Sequence, residues 1–268
     1  MIQVDVANVS KVHVSMKGEP LLALLDVNFK VEQNEFFSIV GPSGCGKTTL
    51  LNLLAGFEQP TRGALKVAGK DISAPGWERA VVFQEYALFP WYTVVQNVRY
   101  GLQRKRVPES EQRRLVDHYI GLVGLRGFES RYPGELSGGM RQRVSIARAL
   151  AVNPSILLMD EPFASLDVQT REYMQDELLK IWQREPKTVI FITHSIDEAI
   201  KLSDRIAIMA PRPGRVQEIK TVGFERPRDP TDPGVVRLAA EVKLWLRQQV
   251  FGSPQGDEAS RSDSDAVH

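Results

Sequence analysis

The sequence predicts an α/β fold built on a doubly wound parallel sheet. Short apolar runs, bounded by turn or polar residues, alternate along the chain with stretches of helical periodicity. These runs occupy 35–40, 80–83, 155–159, 188–193 and 205–209. Three of them are almost continuously apolar, which is typical of strands buried on both faces of a parallel sheet. The alternation of such strands with helices favours a doubly wound core.

Two further regions flank or interrupt this core. Residues 2–14 and 64–67 alternate in polarity and predict short strands of an antiparallel edge sheet. Residues 87–152 have helical periodicity and clustered charge but no convincing strand pattern, so they predict an inserted helical subdomain. Helices are expected at 46–55, 137–151, 168–182 and 197–202.

The C-terminal part of the chain has a different pattern. Pro227, Pro230 and Pro233 mark a linker, so the core domain is expected to span 1–222. A linker and an amphipathic helix are expected over 223–251, because apolar residues recur there at helical spacing. These are Val235, Leu238, Ala239, Val242, Trp245 and Leu246. Residues 252–268 are polar and are predicted to be disordered.

Composition excludes several classes of protein. The 268 residues carry 34 Lys+Arg against 33 Asp+Glu, a net charge of +1, so a strongly basic nucleic-acid binder is not expected. The single cysteine excludes an intrachain disulfide and fits a reducing compartment. No apolar run approaches the roughly 18 residues that a membrane helix needs. We therefore expect a soluble, cytoplasmic protein that does not cross a membrane by itself.

A glycine-rich loop carries the strongest chemical signal. It has the GxxxxGK[ST] pattern, follows an apolar strand and opens a helix. Glycine lets the backbone approach phosphate oxygens closely, and the helix N-terminus offers amides to an anion. Lys47 then faces the β- and γ-phosphates of ATP, and the Thr48 hydroxyl is a ligand for Mg²⁺. The predicted ATP-binding residues are Gly41, Pro42, Ser43, Gly44, Cys45, Gly46, Lys47, Thr48 and Thr49.

Two adjacent carboxylates follow the apolar run at 155–159. Successive strand side chains point to opposite sides, so Asp160 and Glu161 are expected to do different work. Asp160 is predicted to face Mg²⁺ through its water shell. Glu161 is predicted to be the general base that accepts a proton from the attacking water.

A second anion site is predicted before the helix at 137–151. A serine hydroxyl, two glycines and a helix N-terminus can together bind phosphate, although a serine N-cap and a glycine turn are the structural alternative. Two phosphate-binding surfaces in one chain are what a composite site across a dimer requires. The residues predicted to reach ATP on the partner are Ser137, Gly138, Gly139 and Met140.

The order of these motifs identifies a family resemblance. LSGGM, lying between the phosphate loop and ILLMDEP, resembles the ATPase subunit of an ATP-binding cassette (ABC) transporter over residues 2–221. The resemblance implies a RecA-like P-loop core. It also implies that Gln84 contacts Mg²⁺ and the attacking water, that His194 contacts the γ-phosphate, and that His13 stacks on adenine. The loop implied to cross the dimer interface is Ser165, Leu166 and Asp167.

The resemblance also implies partners. Two subunits would close head to tail around two ATP molecules, and the second subunit is either another copy of this chain or a paralogous ATPase. The membrane part is a separate permease, served by a periplasmic or surface substrate-binding protein. The ATPase is therefore expected on the cytoplasmic face of the inner membrane. Residues 85–94 match the place where the family docks the permease, with ordinary core of the helical subdomain as the alternative.

Two short phrases narrow the group. PWYTV at 90–94 and APRPGR at 210–215 resemble the importer ATPases for nitrate, sulfonate and taurine. The predicted function is therefore ATP-driven uptake of a small solute. The alternative is the ABC ATPase of a lipoprotein-export or cell-division complex. Cys45 is interpreted either as a reactive thiol exposed when nucleotide is absent or as a small tolerated side chain.

Overall fold

The computed structural model describes residues 1–15 and 17–251. Its strands are β1 (Ile2–Val14), β2 (Pro20–Glu32), β3 (Phe36–Val40), β4 (Arg62–Val67), β5 (Lys70–Asp71), β6 (Arg79–Val82), β7 (Ile156–Asp160), β8 (Thr188–Thr193), β9 (Arg205–Ala210) and β10 (Arg215–Thr221). Its α-helices are α1 (Lys47–Ala55), α2 (Val94–Arg104), α3 (Glu109–Leu122), α4 (Gly138–Ala151), α5 (Val168–Arg184), α6 (Ile196–Leu202) and α7 (Pro233–Phe251). A short 3₁₀ helix spans Pro133–Glu135.

The main sheet confirms the predicted α/β class. It has six strands in the order β10-β9-β3-β8-β7-β6, and all neighbours from β9 to β6 pair in parallel. Every residue of β3 and β8 is buried, which is the burial that their continuous apolar runs predict. The edge strand β10 pairs antiparallel with β9 and was not predicted. Its sequence has no apolar run, since its side chains are half-buried or exposed and need not be apolar.

The second sheet has four strands in the order β2-β1-β4-β5, with antiparallel pairing throughout. The strands at the N-terminus and after residue 62 were predicted, but β2 was not. Apolar and polar residues do not alternate in the first half of β2. Leu21, Leu22 and Leu25 are apolar but exposed there. Helix α1 packs between the two sheets and contributes Leu50 to the core that they share.

Helices α2, α3 and α4 lie between β6 and β7 and form the helical subdomain. Thr93 caps α2 and forms a capping box with Gln96. The fully buried Asn97 then fixes the segment that precedes the helix. Its amide donates to the carbonyl oxygens of Phe89 at 3.2 Å and Tyr92 at 3.0 Å, and its Oδ1 accepts from the Phe89 amide at 2.9 Å. A single side chain therefore holds 89–92 on the subdomain.

The C-terminal helix α7 is part of the core. Val235 and Val242 are buried in one cluster with Ile196 and Ile200 of α6. Pro233 is the first residue of this helix rather than part of the linker, because proline is well tolerated where a helix has no amide partner to lose. No helix within 1–15 and 17–251 is long and apolar enough to cross a membrane. The disorder predicted for 252–268 lies outside the described residues.

Arg228 holds the chain that leads into α7. Its guanidinium is nine-tenths buried and donates to the carbonyl oxygens of Ile200 at 2.5 Å, Lys201 at 3.2 Å, Val222 at 3.3 Å and Phe224 at 3.0 Å. Burial lowers the pKa of Arg228 to about 10, so the group stays charged at neutral pH. The arginine thus satisfies carbonyls at the end of α6 and ties the following segment to them.

We expect Arg228→Met to lower the free energy of unfolding by about 1–3 kcal/mol, because buried carbonyls lose their donor. Lys243→Met is the matched control, since Lys243 pairs with Asp197 across α7 and α6 in an exposed contact of 2.8 Å. That change should cost less than about 1 kcal/mol. Urea unfolding of both variants measures the difference, and equal losses would show that Arg228 has no special role.

Candidate nucleotide-binding site

The glycine-rich loop joins the end of β3 to the start of α1. Gly46 precedes the helix with φ +89°, a left-handed conformation that disfavours other residues. A Cβ there would also lie 2.5 Å from Leu24 Cδ2. A Cβ on Gly41 would lie 2.6 Å from the Cys45 sulfur and 2.9 Å from the Met209 carbonyl oxygen. The loop therefore leaves no room for a side chain at either glycine.

Lys47 places a positive charge inside this loop. Its side chain is 7% exposed, and its ammonium donates to the carbonyl oxygens of Gly41 at 2.8 Å and Pro42 at 3.2 Å. Neutral carbonyls compensate only part of the cost of burying a cation. An anion bound in the loop would provide the missing negative charge. The loop amides and the N-terminus of α1 favour the same kind of ligand.

Asp160 ends β7 and faces the loop. Burial raises the pKa of its carboxyl, and the neighbouring Glu161 raises that pKa further, while Lys47 and a hydrogen bond from Thr48 lower it. The Thr48 hydroxyl and the Asp160 carboxylate are thus neighbours, because Thr48 influences the pKa of Asp160. They are the hard oxygen donors that Mg²⁺ prefers, so these residues fit that ion.

Glu161 lies beyond the strand rather than on it. Strand β7 ends at Asp160, and Glu161 adopts the left-handed conformation with φ +43°. Its amide still donates to the carbonyl oxygen of Ile192 on β8 at 2.9 Å. Strand alternation therefore cannot relate the two side chains, because the backbone leaves the extended conformation at Glu161. The reason that we gave for their different roles was wrong, and the roles themselves stay predictions.

His194 follows β8 and meets Glu161. Its Nδ1 lies 3.1 Å from Glu161 Oε2, so Nδ1–H donates to the carboxylate. The imidazole is 59% exposed and the Glu161 side chain 23%, which leaves both accessible from solvent. The structure thus brings together the two side chains for which the sequence predicts roles at the γ-phosphate.

His13 and Gln84 lie at the edges of this arrangement. His13 is on β1, with Nε2 3.4 Å from the Thr49 hydroxyl and Nδ1 3.8 Å from a Glu58 carboxylate oxygen. The predicted adenine-stacking residue is therefore beside the first turn of α1. Gln84 is exposed in the turn that follows β6.

The remaining predicted residues form a second surface. Ser137 caps α4 by accepting from the Met140 amide at 3.3 Å, and Asp167 caps α5 by accepting from the Thr170 amide at 3.0 Å. A Cβ on Gly138 would meet Leu166 at 3.1 Å, so the two predicted segments touch. Within the described part of the chain, no hydrogen bond joins 137–140 to 41–49.

Tyr86 contacts the 165–167 loop and is held by Arg148, and the sequence predicted neither contact. The Tyr86 hydroxyl lies 2.9 Å from the Ser165 hydroxyl, and Arg148 of α4 donates to the carbonyl oxygens of Tyr86 at 3.1 Å and Ala87 at 2.7 Å. Tyr86 and Ala87 both have left-handed backbone conformations. The sequence analysis included Tyr86 only as part of the segment 85–94, and it gave Arg148 no role.

Within 1–15 and 17–251, no group of three or more His, Cys, Asp and Glu side chains could hold a metal ion. Mg²⁺ is usually held by one or two carboxylates plus phosphate oxygens, and Asp160 is the carboxylate that faces the phosphate loop. The site therefore combines a cationic phosphate loop, the half-buried carboxylate of Asp160 and an accessible carboxylate–imidazole pair. That combination defines a nucleoside triphosphatase of the P-loop class.

Comparison with known proteins agrees with this class. Residues 24–164 match the family model described as ABC transporter. An uncharacterized ABC transporter ATP-binding protein of Methanocaldococcus jannaschii is 49% identical over 252 residues, which are 94% of each chain. The taurine import ATP-binding protein of Pelagibacter ubique is 48% identical over 217 residues, covering 81% of this chain and 82% of that protein.

A solved structure has the same fold. It is the dimeric post-hydrolysis state of an ATP-binding cassette bound to ADP and Pi, with a TM-score of 0.71 and 34% sequence identity. The match covers 82% of this chain and all of the other chain. This chain belongs to the ABC transporter family, and it is an ATPase of that family. The resemblance to the nitrate, sulfonate and taurine group is confirmed as well.

Cys45 is fully buried inside the phosphate loop. Burial raises the pKa of its thiol, although the Lys47 ammonium 4.0 Å away opposes that shift. A buried thiol with a raised pKa is a poor nucleophile, because the thiolate is the reactive form. Burial therefore contradicts the interpretation of Cys45 as an exposed reactive thiol and favours that of a small side chain.

We expect Cys45 to resist a maleimide in the folded protein without nucleotide and to react in urea. Intact-mass spectrometry over time measures the labelling. A Cys45→Ala/Ser110→Cys variant is the positive control, because Ser110 is exposed on α3. Labelling of native Cys45 as fast as that of the control would contradict the burial.

Proposed function

We propose that this ATPase is the energy-coupling subunit of an importer. It works as a head-to-tail dimer that closes around two ATP molecules and drives uptake through a separate membrane permease. The observation that carries the catalytic part is the 3.1 Å contact between His194 and Glu161 beside the phosphate loop. It supports Glu161 as the base and His194 as the group that orients it toward the γ-phosphate.

The chain's own residues account for the chemical step. Lys47 neutralises charge on the β- and γ-phosphates, and His13 stacks on the adenine. Glu161 accepts a proton from the attacking water, and the Nδ1–H bond from His194 fixes the carboxylate that does so. Gln84 orders the same water from the turn after β6. Thr48, Asp160 and Gln84 would hold Mg²⁺, which supplies charge neutralisation of the phosphates.

The position of the second surface supports a dimer. This surface lies at the N-terminus of α4 and touches the 165–167 loop, and its hydrogen bonds do not reach the phosphate loop of the same chain. It comprises Ser137, Gly138, Gly139 and Met140. Free amides at a helix N-terminus favour an anion, so this surface suits the ATP of a partner subunit. The dimeric cassette of similar fold, bound to ADP and Pi, supports this arrangement. The partner is a second copy or a paralogous subunit.

We expect Glu161→Gln to bind ATP with unchanged affinity and to hydrolyse it about 10²–10⁴-fold more slowly, because an amide cannot accept the proton. The ATP-bound variant should stay dimeric in size-exclusion chromatography, since hydrolysis is what reopens the dimer. Turnover at the wild-type rate would show that another group is the base.

Ser137→Arg in the Glu161→Gln background separates binding from dimer closure. The variant should bind ATP through Lys47 and the loop but should remain monomeric, because the arginine blocks the surface at the start of α4. Losing the Ser137 cap costs about 1 kcal/mol, so thermal melting must confirm that the variant is folded. Loss of ATP binding in a folded variant would contradict the model of two surfaces.

The segment 85–94 is proposed to dock the permease. Phe89, Tyr92 and Tyr100 pack together, while Trp91 beside them is 67% exposed. A large exposed aromatic on a segment fixed by buried hydrogen bonds from Asn97 is suited to bury against a partner. The segment lies directly after Gln84, so docking can act on the lid residue. The enzyme would then sit at the cytoplasmic face of the membrane.

The substrate is proposed to be nitrate, a sulfonate such as taurine, or a similar small solute. The similarity to a taurine import ATP-binding protein supports this, together with the PWYTV and APRPGR phrases. A substrate-binding protein outside the membrane would deliver the solute to the permease.

We expect Trp91→Ala to lower co-purification with a co-expressed candidate permease, while the ATPase rate of the isolated chain stays the same. The reason is that Trp91 lies outside the phosphate site and offers apolar area only to a partner. Tyr173→Ala is the control, since Tyr173 is a 51% exposed aromatic on α5. Equal recovery of the permease with both variants would refute docking through Trp91. In the wild-type complex, stimulation of the ATPase by candidate solutes identifies the substrate.

A further inference from the structure

Glu198 is a buried carboxylate to which the proposed reaction gives no task. It lies on α6 and is 7% exposed. The Thr193 hydroxyl donates to its Oε2 at 2.6 Å, and the Gln175 amide of α5 donates to its Oε1 at 3.2 Å. The same Thr193 oxygen accepts from the Ser195 amide at 3.0 Å. Glu198 therefore stabilises the turn that carries His194 through the bond to Thr193. We define this turn, 193–195, as the switch loop.

Arg171 of α5 connects Glu198 to a second loop. Its Nη2 donates to the carbonyl oxygen of Leu166 at 2.9 Å, and its Nε lies 3.9 Å from Glu198 Oε1. Leu166 belongs to 165–167, which we define as the dimer loop. The arginine thus bonds the backbone of the dimer loop and pairs with the carboxylate that holds the switch loop.

The charges of Arg171 and Glu198 restrict the positions that the two loops can take. A buried carboxylate is costly without a cation and hydrogen-bond donors, so Glu198 needs its donors to keep their places. Arg171 donates to the dimer loop, and Glu198 accepts from Thr193 of the switch loop and from Gln175 of α5. A shift of the dimer loop moves the Leu166 carbonyl, which moves Arg171 and so changes the contact that holds Thr193. At 3.9 Å the Arg171–Glu198 link is an ion pair rather than a hydrogen bond, since Arg171 Nε has no hydrogen-bond partner within the described residues.

We propose that Arg171 and Glu198 are positioning residues that couple the dimer loop to the switch loop, so that contacts made at the dimer loop in the closed dimer hold His194 in place against Glu161. The inference rests on the proposed function, in which two subunits close around ATP and His194 orients Glu161 toward the γ-phosphate. It adds a route within one subunit between the dimer loop and the switch loop.

A brace between α5 and α6 is the competing explanation, and the chain contains its own control for it. Lys201 of α6 pairs with Asp176 of α5 at 2.7 Å. This ion pair joins the same two helices but contacts neither loop. Removing it tests helix packing alone.

The experiment compares Arg171→Met, Glu198→Gln, the double variant and Lys201→Met in the full-length chain. Steady-state ATPase assays measure kcat and KM for ATP, and thermal melting measures stability. We expect each single change at the network to lower kcat by about 10- to 100-fold, the size of effect that a small misplacement of a reacting group produces. The KM for ATP should hardly change, because the phosphate loop is untouched.

The double variant tests whether the two residues act together. We expect it to be no slower than the worse single variant, because each change alone breaks the same link. Lys201→Met should keep the wild-type kcat even where its melting temperature falls as far as that of the network variants.

Three results would overturn the proposal. They are a wild-type kcat in Glu198→Gln, losses of kcat that multiply in the double variant, and a loss in Lys201→Met that equals the loss in Arg171→Met. Glu198→Gln keeps the shape of the side chain, so it decides the question even if Arg171→Met does not fold. Glu161→Gln in the same assay distinguishes a failure of the proposed coupling from a failure of the proposed function. If that variant is inactive and Arg171→Met is fully active, only the coupling fails; if Glu161→Gln is active, the proposed function itself fails.

Discussion

Parallel pairing among β3, β7 and β8 is the constraint on which the site depends. In a parallel sheet the carboxyl ends of neighbouring strands face one edge, and ligands bind there. Val40 pairs with Thr193 and Asp160 with Ile192, so the chain leaves all three strands at nearly the same level. The phosphate loop, the carboxylates and the imidazole are therefore neighbours although they are far apart in sequence. A slip of one residue in β8 would turn its side chains to the opposite face of the sheet.

The electrostatics of this edge suit a phosphate ligand with a divalent cation. Folding buries the Lys47 ammonium against neutral carbonyls, and it raises the pKa of Asp160 through burial and the nearby Glu161. Each of these charges is only partly compensated within the chain. An anionic phosphate beside Lys47 and a cation beside Asp160 would relieve both. Nucleotide would bind these charges only in the folded chain, so the free energy of unfolding is expected to rise when nucleotide binds.

A second layer of side chains holds the loops that carry the chemistry. Asn97 and Arg148 fix the segment after Gln84, and Arg171 and Glu198 hold the dimer and switch loops. All four lie on helices and bond mainly to backbone or side chains of loops. Rigid helices thereby give otherwise exposed loops a defined geometry, which is what a site completed by a partner subunit needs.

Local sequence determined a large part of this protein. Apolar runs located five strands of the main sheet, and the glycine-rich loop, the Asp160–Glu161 pair and the LSGGM phrase located the candidate site, because each is a short-range pattern with its own physical signature. Tertiary structure decided the rest. The edge strands β2 and β10 carry weak patterns and exist because a neighbour offers hydrogen bonds. The left-handed turn at Glu161, the burial of Cys45 and the Arg171–Glu198 contact depend on packing between distant segments, which no local pattern records.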